Sequence, residues 1–197
     1  MEKAIQTTSY MEKAIQTTAI KSKWAGRFIA AAIIEGIFAV IATILVLDPI
    51  QYITGQGNYF SPAMVIASGG AGTWFFTGYI SFIVVGVVAM AVTALFYLYI
   101  EGIQGKVYKG FANFLAWCHL IFMNVGVAGS MFLMMYGGYL GGWAGAATAM
   151  GGEGLNDEQI HVQILGRLVD PIGGLILLAA IGAILGGLGY VLRSRTK

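Results

Sequence analysis

Few side chains in this sequence of 197 residues could do chemistry, and most of them stand inside apolar runs. Glu35 is a carboxylate deep within AAIIEGIFAV. A charge at the centre of a membrane helix costs roughly 2.5–3.5 kcal/mol on insertion scales, so the group must face a partner or a wet cavity, or carry a proton. It reads either as a proton-relay carboxylate or as a hydrogen-bonding packing group. His119 and Asn124 share the run WCHLIFMNVG. An intramembrane imidazole can ligate haem or metal, although a lone one without a second ligand at helical spacing is more often a hydrogen-bonding packing residue. Tyr79 and Ser81 in TWFFTGYISF put a phenol and a hydroxyl two residues apart, far from any charge. His161 lies near Glu153, Asp157 and Glu158, a set that resembles a weak metal site but usually amounts to a solvated acidic loop. Cys118 is the one cysteine, so neither an intramolecular disulfide nor a cysteine metal centre can form. Glycine-rich phosphate loops, nucleophile–base pairs and zinc spacings are missing, which argues against hydrolytic or phosphoryl-transfer chemistry and leaves no catalytic or metal residue to name.

The elements that position these groups follow from composition. The chain is 58% hydrophobic and 10% charged, with a mean hydropathy of +0.78. Soluble domains carry about a quarter charged residues, so the expected class is an all-α integral membrane protein in contact with the lipid bilayer. A net charge of +2, with cations at the edges of apolar runs, gives no reason to expect nucleic acid. Segments near 24–47, 73–100, 111–141 and 171–192 each reach the roughly 20 residues that a spanning helix needs. Together they predict a four-helix membrane domain over residues 24–197, preceded by a polar tail over 1–23. That tail repeats MEKAIQTT, which suggests a tandem duplication or two possible starts.

Lysine and arginine set the orientation. Lys21, Lys23 and Arg27 flank the first span, Lys106 and Lys109 separate the second from the third, and Arg193, Arg195 and Lys197 follow the fourth. Only Arg167 falls on the other side, so both termini and the middle loop are expected in the cytoplasm, with the spans in the cell membrane. Before the fourth span, Asn156 and Gln159 form a capping-box pattern, and Ile160, Ile164 and Leu168 make one apolar stripe. This predicts a short surface helix that stops before Pro171. Gly182 with Gly186, and Gly138 with Gly142, predict close helix packing, within the bundle or against another subunit.

Taken together, TWFFTGYISFI, VTALFYLYIEGIQGKVYKG and LAWCHLIFMNVGVAGSMFLMMYGGYLGG resemble the late helices of the haem–copper oxidase catalytic subunit. That likeness implies a helix running inward, a short cytoplasmic turn and a helix running outward. It also aligns Tyr79 and Ser81 with the family's paired haem-ligating histidines. The arginine pair that the family keeps beside the haem propionates is missing from YLGGWAGAATAM, and the helices bearing its copper ligands have no counterpart. The resemblance therefore implies a non-catalytic accessory subunit, associated with other membrane subunits of an oxidase-like respiratory complex. Two further readings remain: a haem-binding or haem-handling protein using His119, and a small transporter or proton channel using Glu35.

Overall fold

A computed structural model describes residues 21–47, 65, 70–149 and 153–195. The duplicated MEKAIQTT segment and nearly all of the loop after the first span lie outside the described residues. Among the described residues there is no strand. Four continuous helices, each long and apolar enough to cross a membrane, run as α1 (Lys23–Leu47), α2 (Gly72–Ile103), α3 (Gly110–Ala149) and α4 (Asp157–Arg195). In a hydrocarbon medium a backbone must pair its own polar groups, and a helix does so within one segment.

The helices run longer than hydropathy alone predicts. α3 continues through the small residues GGWAGAATA because Gly141 and Gly142 remain buried against the start of α2, Ala71 and Gly72. α4 corrects the expected surface helix. Its capping box forms, with Asn156 Oδ1 accepting from the Gln159 N–H at 2.9 Å and the Asn156 N–H donating to Gln159 Oε1 at 3.0 Å. The helix does not stop at Pro171 but carries it in its interior. Pro171 and Arg167 are both exposed residues, so the carbonyl that loses its helical donor belongs to the outer side of the bundle and not to the packed core.

Three stretches are wound as π-helix: Phe82–Val88 and Leu98–Ile103 in α2, and His161–Leu165 in α4. Such turns are rare and cluster at functional sites. Just past the end of α2, Gly105 with a φ of +67° reverses the chain, while the Lys106 N–H reaches back to the Ile100 carbonyl at 3.0 Å.

α3 is the central helix, packed along α4 and against the first half of α2, while α1 lies mainly on α2. The glycine pairs work inside the bundle. A Cβ at Gly182 would come within 2.9 Å of Phe122 and Met123, and one at Gly186 would enter the His119 ring. A contiguous cluster of buried hydrophobic residues lies where the basic residues gather, around Trp24, Phe28, Met90, Tyr97, Ile100 and Tyr108. Lys106 Nζ closes this basic end by donating to the Ser194 carbonyl at 2.5 Å.

Candidate functional site

The site is built at the basic end, where α1, α2 and α3 interleave aromatic rings. Trp24 and Phe28 lie one turn apart on α1 and are fully buried. Phe28 stacks on Tyr97 of α2 at 4.8 Å between ring centroids and lies 5.0 Å from the His119 ring of α3. Trp24 meets Tyr97 at 5.8 Å and Tyr108 at 6.5 Å. Arg27 lays its guanidinium over the Trp24 and Trp117 rings, 4.3 and 4.5 Å from their centroids, the geometry of a cation–π clamp.

His119 sits where these rings meet α4. Its ring rests on Gly186, and its Nδ1 lies 3.1 Å from the Tyr97 hydroxyl. Beside it is a cavity of about 440 Å³ between α2, α3 and α4, lined by His119, Tyr97, Tyr108, Tyr190, Thr93 and Met123 among others. The donor set does not fit a haem gripped from both faces: His119 and Met123 are one turn apart on the same helix, and the remaining polar atoms are phenols and a hydroxyl.

Glu101 completes the cluster and was not singled out by sequence reasoning. It stands in the second π-segment of α2, 8% exposed, and gathers donors from two directions. Its Oε2 accepts from Ser22 Oγ at 2.8 Å and from the Trp24 N–H at 3.0 Å, and its Oε1 accepts from the Tyr108 N–H at 3.4 Å. A carboxylate is thereby placed at the N-terminus of α1, where the first backbone N–H groups lack helical partners. Ser22 Oγ also accepts from the Ala25 N–H at 3.0 Å. The available signal was the pairing of Tyr97 with Glu101 one turn on, next to SKW at the start of the first span. Burial, reinforced by the Glu101 carboxylate and by Tyr190, raises the Tyr108 phenol above its ordinary value of 10.0, while Arg193 pulls the other way.

The other predicted residues do not converge on this cluster. Glu35 is buried between α1 and α2, 5% exposed, and neither carboxylate oxygen has a hydrogen-bond partner among the described residues. It faces the first π-segment: a Cβ on Gly86 would lie 3.4 Å from Glu35 Oε2. Asn124 turns back on its own helix, donating to the Leu120 carbonyl at 2.6 Å and approaching Met90 Sδ at 3.8 Å. The Tyr79 hydroxyl is held by Thr43 Oγ1 of α1 at 2.6 Å. Ser81, two residues on, is rotated about 200° around the helix and does not share that contact. His161 is exposed, and no group of three or more His, Cys, Asp or Glu side chains able to hold a metal comes together among the described residues.

Comparison with family models, with curated proteins and with solved structures finds no match to this chain.

Proposed function

We propose that this chain is a non-catalytic accessory subunit of an oxidase-like or related redox complex in the cell membrane. Its termini and the 104–109 turn would face the cytoplasm. The observation that carries the reading lies at Tyr79 and Ser81. Where the resembled helix bears paired haem ligands, this chain has a phenol committed to Thr43 and a serine, which is no haem ligand. Asn124 is likewise committed to a carbonyl within its own helix. The orientation rests on the cations gathered at one end of the bundle, by the positive-inside rule. α1 offers a continuous apolar face for lipid or for a neighbouring subunit, with Ile33, Ile37, Ile41 and Leu45 all about half exposed or more.

The test is gentle solubilisation of native membranes followed by affinity isolation of the tagged chain. Co-migration with a redox-active complex is expected, and a chain that always migrates alone would sink the reading. The isolated chain should show no haem band. A haem spectrum that disappears in His119→Ala would favour the haem-binding alternative.

A further inference from the structure

We propose that the cavity beside His119 binds a lipophilic quinone, an uncharged ring with carbonyl oxygens that enters sideways from the bilayer. The proposal stands on the cavity itself and does not require the chain to belong to a redox complex.

The volume comes first. About 440 Å³ falls within the range of small-molecule sites, which are mostly apolar with a few polar groups that fix orientation. The lining here has that character. Phe96, Tyr97, Tyr108 and Tyr190 offer flat ring surfaces, and no carboxylate, lysine or arginine is among the lining residues. A phosphate-bearing head group would meet no cation there, so the chemistry favours a neutral occupant.

The polar atoms choose among neutral occupants. The Tyr97 hydroxyl has His119 Nδ1 as its one hydrogen-bond partner among the described residues. Whichever way the proton in that contact points, the pair keeps one donor unused: the imidazole Nε2–H when the phenol donates to Nδ1, or the phenol O–H when Nδ1–H donates. The Tyr97–His119 pair therefore offers a donor, and what it calls for is an acceptor. A ring carbonyl meets that demand, whereas a saturated acyl chain does not. The Tyr108 and Tyr190 phenols and the Thr93 hydroxyl supply further donors around the same space.

The entrance supports arrival from lipid. α2 and α4 meet at this level through Phe96 and Tyr190, edge-on with centroids 6.0 Å apart. Phe96 is 55% exposed and Val191 44%, so the cavity's rim lies on the outer surface of the bundle. His119 is nine residues into α3, about 14 Å from its start at 1.5 Å per residue, which sets the polar group below the bundle's end.

Gly187 gives a direct means of closing the cavity. It lines the space, and a Cβ there would meet nothing within 4 Å. Gly187→Leu therefore adds bulk at the cavity wall with a Cβ that strikes no neighbouring atom, unlike any substitution at Gly186.

The experiment measures saturable binding of a labelled benzoquinone with a ten-carbon tail to the full chain in phospholipid nanodiscs. Gly187→Leu should abolish binding while leaving helical content and thermal stability unchanged. His119→Ala should weaken it about tenfold, the worth of one hydrogen bond. Tyr97→Phe keeps the ring but releases the imidazole tautomer, and should weaken binding about threefold. The proposal fails if the wild-type chain shows no saturable binding, or if Gly187→Leu binds as well as wild type. It fails equally if palmitate competes as effectively as the quinone, which would make the cavity an acyl-chain slot. Displacement of the quinone by added haem, with a spectrum dependent on His119, would also overturn it.

Discussion

Glu101 and Glu35 are both buried carboxylates on the α1–α2 seam, and each is set against a π-helical segment of α2. They differ in everything around them. Glu101 stands within Leu98–Ile103 and accepts hydrogen bonds from Ser22, Trp24 and Tyr108. Glu35 faces Gly86 of the Phe82–Val88 segment, and both its oxygens lack a partner among the described residues. Burial is nearly equal, at 8% and 5% exposure, so burial does not separate them. Hydrogen bonding does. One carboxylate ties the start of α1 to the α2–α3 turn. The other is embedded without anything among the described residues to hold it, which marks the seam as structurally closed at the basic end and chemically open at its middle.

The largest effect should come from breaking the closed end. Glu101→Ala leaves the Trp24 and Tyr108 N–H groups buried and unpaired, each at a cost of about 1–3 kcal/mol. A loss of about 3 kcal/mol is expected in detergent unfolding, with Glu101→Gln recovering part of it through its remaining carbonyl oxygen. Equal stability of Glu101→Ala and wild type would erase the contrast.

A smaller effect should appear with alkali. Tyr108 is kept neutral in the folded chain, and its phenol is raised by burial, then by Glu101 and Tyr190. An acid whose pKa is higher folded than unfolded gives stability that is fully present below the unfolded value and lost as pH rises past it. Stability should therefore fall from about pH 10, and Tyr108→Phe should fall less steeply. An identical alkaline slope in the two proteins would show that the closed end does not depend on this phenol.

These two carboxylates also show how far the sequence can be read. Glu35 announces itself, because a lone acid among AAII and GIFAV has no local explanation. Its lack of a partner is invisible there, since that depends on which face of α2 turns toward it. Glu101 is inconspicuous, standing at a span edge where charges are ordinary, and its partners Ser22 and Trp24 are 79 and 77 residues away. The spans themselves were legible because some twenty apolar residues have few other uses. The continuity of α4 through Pro171 was not, because proline punctuates soluble helices and is tolerated when neighbouring helices support the segment. The His119–Tyr97 contact belongs to the same class as Glu101: two ordinary residues on different spans, joined only by packing. Periodicity could not have announced the π-segments of α2 either, since FIVVGVV is apolar on every side.

The smallest effect, and the one that sharpens the comparison most, belongs to Glu35→Leu. Removing a buried polar group that has no partner removes a desolvation cost and leaves no donor stranded. The side chain that replaces it is similar in size and faces Phe82 and Gly86, both part of an apolar wall. The isolated chain should be unchanged in stability, or more stable by about 1 kcal/mol, in the same unfolding assay that penalises Glu101→Ala. A loss of 2 kcal/mol or more would mean that Glu35 is held after all, by ordered water, because buried water commonly satisfies such groups. The same substitution made in native membranes completes the argument. A variant that is stable alone yet no longer recovered with its complex would place Glu35's partner on another subunit, and the opening at the middle of the seam would then be an interface.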